Sequence, residues 1–450
     1  MPYKMFHVKQ SSPHVLLINP WITDFSAYNF WMKPLGLLRV ASFLREKGFR
    51  ITLIDCLEPY ANKKEYGDGK FPKTKIDKPD PIQSIPRNYC QYGISEEMFI
   101  TRLSAVERPD AIGITSGMTY WYPGVFKTIQ MAKAVFEETP IVLGGIYATL
   151  CYDHAVQFSG ADSVIRGNGE SEILNLFLRF MNLGLPSGSS LRTPNSELRT
   201  VYPPYPCFDL YSEPDFVCIS TSKGCPFQCT YCASRLLNNG FVRRDPTQVV
   251  EEIEYWTARF KIQNIAFYDD ALLVEAQAHI VPILREIIRK GIQCNLHVPN
   301  GLHIREIDEE VAGLLFRSRF KTIRLGLETS NETEQLETGG KVNNQEFRNA
   351  VRYLLKAGYA SEEIGVYILA GLPGQRVEEV KESIALTREV GAKPILVEYS
   401  PVPGTKLFER AASMSQYDIK KEPLFHNNSL LPCQWEGFTL ADYRKLKDAL

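Results

Sequence analysis

Apolar and polar positions along this chain switch repeatedly between two periods. Val15-Leu16-Leu17-Ile18 is an unbroken apolar run that stops at Asn19-Pro20, the pattern of a strand buried on both faces. Leu37, Leu38, Ala41 and Leu44 then recur at helical spacing over residues 35–47, and Gly48 closes that helix. Further strands are predicted at 51–54 (closed by Asp55), 111–115, 141–143 and 163–165, with a helix through 127–137. Short apolar strands alternating with helices predict a parallel sheet covered on both faces. Residues 57–92, rich in lysine, proline and glycine, carry neither period and read as an insertion or ordered loop.

A stretch dominated by Pro, Ser, Gly and Thr, from about 183 to 214, predicts a linker. Alternation resumes beyond it, with strands at 217–221, 265–268, 293–297, 322–327, 365–369 and 395–399 and helices including 249–260, 279–290 and 347–357. Six βα units predict a partial parallel barrel whose functional groups gather at the carboxyl ends of its strands. The expected architecture is α/β. A doubly wound, Rossmann-like parallel sheet occupies 1–182, a linker 183–214, a partial (β/α)6 barrel 215–404 and a C-terminal extension 405–450.

Composition narrows the partners more than the fold. The 450 residues include 51 basic and 52 acidic side chains, a net charge of −1, so no global field recommends nucleic acid as a partner. The apolar run 15–18 is too short for a signal peptide, and no stretch approaches the roughly 18 apolar residues of a membrane span. Ten cysteines without an export signal fit reduced thiols better than a disulfide framework. A soluble cytoplasmic protein is expected.

The most informative segment is Thr221-Ser222-Lys223-Gly224-Cys225-Pro226-Phe227-Gln228-Cys229-Thr230-Tyr231-Cys232. It follows a predicted strand directly, which places three thiols in a loop at that strand's carboxyl end. Thiolates spaced C-x3-C-x2-C can hold three irons of a cubane cluster and leave the fourth open to an exogenous ligand. Electron-transfer clusters usually have four cysteine ligands, so an open iron points toward cofactor or substrate chemistry. A zinc site completed by a distant histidine is the alternative.

This segment resembles the signature of the radical S-adenosylmethionine superfamily. The resemblance implies a [4Fe–4S] cluster on Cys225, Cys229 and Cys232, its open iron chelated by the amino and carboxylate groups of S-adenosylmethionine. It also implies that the aromatic Tyr231 lies by the adenine. Over about residues 216–410 the likeness continues. Ile265-Ala266-Phe267-Tyr268-Asp269-Asp270 resembles the family's second strand, with Asp269 or Asp270 facing the methionine portion in place of the more common Gly-Gly-Glu. Thr322-Ile323-Arg324-Leu325-Gly326-Leu327-Glu328-Thr329 resembles the fourth-strand motif, which implies Glu328 as a ligand of the ribose or methionine moiety. Gly371-Leu372-Pro373-Gly374-Gln375 resembles the fifth-strand glycine motif beside the adenine, and Ser400-Pro401-Val402-Pro403-Gly404-Thr405 the end of the sixth.

In the first domain the dinucleotide fingerprint fails, because Gly167-Asn168-Gly169 continues with Glu170, Ser171 and Glu172 and no third glycine arrives in register. The succession Pro34-Leu35-Gly36-Leu37, Ile114-Thr115-Ser116-Gly117-Met118-Thr119, Val142-Leu143-Gly144-Gly145 and Gly167-Asn168-Gly169-Glu170 is similar instead to the cobalamin-binding-like domain fused to many radical S-adenosylmethionine enzymes. That resemblance implies that Thr115, Ser116, Gly144 and Gly145 end strands where the nucleotide tail of cobalamin enters. Glycine there lets a bulky ligand approach the backbone. A purely structural domain whose glycines serve turns is the alternative. The Asp-x-His-x-x-Gly motif that supplies a lower histidine to cobalt in mutase-type domains is missing: Asp55 is followed by Cys56 and Leu57. Fused members of the family can lack this histidine.

His297 and His303 flank Pro299-Asn300-Gly301 at a strand end and are candidates for substrate contact or proton transfer. The aromatic stretches 25–31 and 120–122 suit a core more than a pocket. By resemblance, an electron donor such as flavodoxin or ferredoxin reduces the cluster. Cleavage of S-adenosylmethionine then yields a 5′-deoxyadenosyl radical and, with cobalamin present, a methyl group passes to a small-molecule substrate of unnamed class. Two rivals stand beside this expectation. One is a cobalamin-free rearrangement, cyclisation or oxidation, and the other a non-catalytic iron–sulfur or zinc module.

Overall fold

The computed structural model describes residues 12–58, 69–167, 169–181 and 205–450. Its N-terminal strands are β1 (His14–Asn19), β2 (Ile22–Asp24), β3 (Arg50–Asp55), β4 (Lys73–Ile76), β5 (Tyr89–Tyr92), β6 (Ala111–Ile114), β7 (Ile141–Leu143) and β8 (Ser163–Val164). Five of them form a parallel sheet in the order β3-β1-β6-β7-β8. The two-residue pleat of β1 explains why its apolar run is continuous. Leu16 and Ile18 pack with Phe99, Val125 and Ile129 on one face, and Val15 and Leu17 with Leu37, Ala41 and Phe177 on the other. The strand order reverses between β1 and β6, and ligands of such sheets bind at the carboxyl ends beside that switch.

Residues 57–92 are not an irregular insertion throughout. β4 and β5 join β2 in an antiparallel sheet ordered β2-β5-β4, while residues 59–68 lie outside the described residues. No alternation marked these strands, for opposite reasons. Every residue of β5 is buried, whereas β4 is a sheet edge whose two lysines face solvent.

The second half supplies β9 (Val217–Ile219), β10 (Ser222–Lys223), β11 (Val242–Arg243), β12 (Asn264–Phe267), β13 (Asn295–His297), β14 (Phe320–Glu328), β15 (Ile364–Ala370) and β16 (Lys393–Glu398). Six run parallel in the order β16-β15-β14-β13-β12-β9, an open barrel with β9 and β16 at its edges. β10 and β11 form a short antiparallel ribbon that the apolar pattern did not announce. Of the predicted linker, 183–204 lies outside the described residues, as does residue 182 before it. Its last part is core: Phe208 and Tyr211 are buried with Trp256 and Phe216.

Two further pieces bind the halves together. Trp31, in the left-handed region beside Phe30 (φ 58° and 42°), stacks on His297 at a centroid distance of 4.0 Å. Its carbonyl accepts the Tyr268 hydroxyl at 2.6 Å. The C-terminal segment then lies over both domains. Leu431, Phe438 and Tyr443 pack on β15, and the buried Asp24 carboxylate accepts from Asn427 Nδ2 and Trp121 Nε1, each at 2.8 Å. No described helix is long and apolar enough to cross a membrane.

Candidate active site

The cysteine loop is fastened at its entrance by Asp269, two residues past β12 and 1% exposed. Its carboxylate accepts from the backbone N–H of Thr221 (3.0 Å) and Ser222 (2.5 Å) and from both hydroxyls (2.8 and 2.5 Å). Burial pushes this carboxyl up, against those bonds. Asp269 therefore holds the loop: Oδ1 takes all four donors, and Oδ2 shares only the Thr221 N–H. The adjacent Asp270 is exposed and accepts the Ser234 hydroxyl at 2.6 Å.

Two glycines shape the loop itself. Gly224 sits at φ +77°, and a Cβ there would lie 2.0 Å from the Gly240 carbonyl oxygen. Gly339 sits at φ +134°, and its Cβ would meet Cys229 Cα at 3.1 Å. The Thr230 N–H donates to the Thr338 carbonyl at 3.1 Å, so the 338–340 turn forms one wall of the loop. Cys225 and Cys229 are half-buried and Cys232 is exposed. Burial, with the other two thiols and Asp270 close by, pushes the Cys225 thiol up to about 11. Burial likewise raises Cys232. Thiols in this state surrender their protons to a metal rather than to water. Among the described residues no three His, Cys, Asp or Glu side chains converge to hold a single ion.

Beside the loop, Glu328 ends β14 at φ +67° and pairs with Lys341 at 2.7 Å, both side chains less than a fifth exposed. Gly326 leaves room for the pair, since a Cβ there would lie 3.0 Å from each. Burial works against the Lys341 ammonium, but Glu328 and the cysteines outweigh it and hold its pKa above the usual lysine value. Its Nζ lies 5.9 Å from the centre of the Tyr231 ring. Burial, with Glu328 and Cys229 adding to it, pushes the Tyr231 phenol up. Sequence reasoning missed Lys341, although a lone lysine directly after Gly339-Gly340 was a readable signal.

Other expected positions serve the frame. Gly371 is at φ +84°, its N–H donates to Gln375 Oε1 at 2.8 Å, and a Cβ there would strike Leu431 at 2.5 Å. The C-terminal segment occupies that space. His297 is buried, bonded to Thr322 and Asn264 and covered by Trp31, and burial takes its pKa down to about 3. The ring has no free nitrogen for proton transfer. His303 is closer to the chemistry, stacked on Phe227 with Nε2 4.0 Å from Cys225 Sγ.

The N-terminal strand ends divide in the same way. Ser116 is buried, donates to the Gly144 carbonyl at 2.6 Å and accepts from the Ala148 N–H at 3.2 Å. Gly145 is at φ +97°, and its Cβ would meet Ser116 N at 2.5 Å, so both residues build the turn. Thr115 is half-buried at the topological switch. Above Gly144 and Gly167 there is open space, with nothing within 4 Å of a built Cβ. Asn168 lies outside the described residues. The helix Ile146–Leu150 that follows Gly145 touches the helix Ser234–Leu237 that follows the cysteine loop. The carboxyl ends of the two sheets thus meet. A cavity of about 610 Å³ lined by Lys381, Arg388 and Lys445 lies elsewhere, under the C-terminal helix, and contains none of these residues.

Comparison with known proteins agrees with this layout. Residues 219–387 match the Radical SAM superfamily model, and residues 88–177 match the B12 binding domain model. An uncharacterized methyltransferase of Pyrococcus horikoshii is 24% identical over 381 residues, 78% of this chain and 77% of the relative. An anaerobic magnesium-protoporphyrin IX monomethyl ester cyclase of Rubrivivax gelatinosus is 23% identical over 73% of this chain and 63% of its own length. The solved radical S-adenosylmethionine methyltransferase TsrM of Kitasatospora setae, with cobalamin and a [4Fe–4S] cluster bound, has the same fold. It superposes with a TM-score of 0.65 at 17% identity, covering 93% of this chain and 85% of its own.

Proposed function

This chain belongs to the radical S-adenosylmethionine superfamily and carries a B12 binding domain ahead of its barrel, and from that premise we propose that it methylates a small molecule at carbon. The observation that carries the proposal is the meeting of two strand-end faces. One bears three thiols on a glycine-shaped loop, and the other an open glycine cradle. When bound, the cluster and S-adenosylmethionine supply one-electron cleavage to a 5′-deoxyadenosyl radical, and cobalamin supplies a transferable methyl group.

The residues divide the work. Cys225, Cys229 and Cys232 would hold three irons of the cluster, on the support of a loop that only glycine at 224 and 339 permits. The Lys341 ammonium, oriented by Glu328, is placed to receive a carboxylate such as that of the methionine moiety. Tyr231 presents an aromatic face on the same side for a purine. Asp270 is the exposed acid available to an ammonium, while Asp269 acts on the loop. Gly144, with Thr115 beside it, leaves the cradle for the corrinoid tail, and Ser116 and Gly145 keep its turn in shape. Gly371 acts on the adenine side by admitting Leu431 rather than by touching the cofactor itself.

The test is corrinoid binding together with methyl transfer. Chain reconstituted anaerobically with iron and sulfide is titrated with hydroxocobalamin, alongside Gly144→Trp, which fills the cradle. The proposal expects one corrinoid per chain, weakened in the variant, and label from methyl-labelled S-adenosylmethionine on a carbon of the product. A chain that cleaves S-adenosylmethionine yet ignores corrinoid would overturn methyl transfer in favour of cobalamin-free radical chemistry. Bound corrinoid with no transferred label would redirect the reading to cyclisation or oxidation, the kind of reaction the cyclase relative's name describes.

A further inference from the structure

The loop after β13 carries His303 to the cysteine loop on a fixed backbone. Gly301 turns at φ +85°, the Leu302 N–H donates to the Arg324 carbonyl at 2.6 Å, and the Gly326 N–H returns a bond to Leu302. Arg305 follows. Its guanidinium donates to the Gly340 carbonyl at 2.9 Å and pairs with Glu346 at 2.8 Å, which ties this loop to the turn pressed against Cys229. The imidazole lies flat on Phe227, two residues past Cys225, with centroids 4.8 Å apart and planes 18° from parallel.

This placement aims one ring nitrogen. Nε2 lies 4.0 Å from Cys225 Sγ, within reach of an N–H···S contact, which is longer than N–H···O because sulfur is larger. Nδ1 is buried and has no hydrogen-bond partner among the described residues. A buried acceptor without a partner is tolerated more readily than a buried N–H without one, so the tautomer with its proton on Nε2 is favoured. That proton points at the ligand sulfur.

We propose that His303 is a positioning residue of the iron–sulfur cluster, its Nε2–H donating to the Cys225 thiolate and raising the reduction potential. The inference rests on the reading that Cys225, Cys229 and Cys232 carry the cluster. The physical reason is that an added electron increases the charge on the cluster sulfurs. A donor aimed at one of them therefore stabilises the reduced form more than the oxidised form. Lys341 acts on the opposite thiols, Cys229 and Cys232, as a charge. His303 is the neutral donor for the third.

The experiment is a redox titration of the reconstituted full-length protein, followed by electron paramagnetic resonance, on wild type, His303→Phe and His303→Gln. Phenylalanine keeps the stack on Phe227 and removes the donor; glutamine restores an N–H. With wild-type iron content, the phenylalanine variant is expected to show a reduced-to-oxidised ratio about tenfold lower at the wild-type midpoint, a shift of about 59 mV to more negative values for one electron. The glutamine variant is expected to recover part of it. A second readout needs no variant. Wild type grown on ¹⁵N-histidine is expected to show a ¹⁵N coupling to the reduced cluster, replaced by the quadrupolar pattern of ¹⁴N in unlabelled protein. An unchanged midpoint in a cluster-loaded His303→Phe, or no histidine coupling in wild type, would overturn the assignment alone. A wild type that assembles no cluster would overturn the underlying reading and this proposal with it.

Discussion

Replacing Asp269 by alanine removes a single buried carboxylate that four donors share. The Thr221 and Ser222 hydroxyls can rotate to other acceptors, Thr221 toward His279 Nε2 at 2.9 Å. The backbone N–H groups of 221 and 222 cannot, because the turn from β9 into β10 fixes their direction. Two orphaned donors at about 1–3 kcal/mol each predict a loss of about 2–6 kcal/mol. With a urea slope of roughly 3 kcal/mol/M, the barrel transition moves down by about 0.7–2 M. The assay is urea unfolding of the metal-free chain followed by tryptophan fluorescence, since Trp256 lies in the barrel core. Iron uptake on reconstitution is the second measurement. It is expected to fall as well, because Cys225 follows Ser222 by only three residues. Asp269→Asn, which keeps one acceptor oxygen but turns an N–H₂ toward donors, should fall between. A midpoint within about 0.2 M of wild type, with full iron uptake, would refute the claim that Asp269 fastens the loop.

Other outcomes follow from the same contacts. Gly339→Ala combines a positive φ with a Cβ pressed on Cys229, strain of about 1–3 kcal/mol at the ligand loop, so iron uptake should drop while the N-terminal domain still folds. Lys341→Met should keep the cluster but weaken S-adenosylmethionine by about 10- to 100-fold in equilibrium binding, the loss of one charged hydrogen bond. His426 is bonded to Thr119 and the Ile419 carbonyl, and burial takes its pKa from 6.5 down to about 4. As the pH falls, the unfolded state takes the proton first. Stability from this site is therefore complete above about 6.5 and lost between there and about 4, up to about 3 kcal/mol. His426→Gln should flatten that part of a stability-versus-pH curve.

Much of this architecture could be read from period alone, because β1, β6 and the barrel strands are short apolar runs bounded by turn residues. The cysteine loop was legible because three thiols at fixed spacing have few physical uses. The rest depended on approaches between distant segments, which leave no local period. The Asp269 strap looked like a ligand, since a strand-end carboxylate reads the same whether it faces solvent or a backbone turn. Lys341 reaches Glu328 only through the fold, across thirteen residues of sequence. Gly371 was expected beside the adenine by resemblance; the structure adds that a Cβ there would meet Leu431, sixty residues later, a contact no local pattern announces. The sheet of β2, β5 and β4 escaped because complete burial and an edge position each erase alternation.

The central claim is that the three thiols carry a cluster that cleaves S-adenosylmethionine. The direct measurement is 5′-deoxyadenosine formed per chain by anaerobically reconstituted protein with reductant, beside Cys229→Ala. The account predicts 5′-deoxyadenosine that appears with the cluster and vanishes in the variant. A wild type that holds zinc, or holds a cluster yet leaves S-adenosylmethionine intact under reduction, would contradict it.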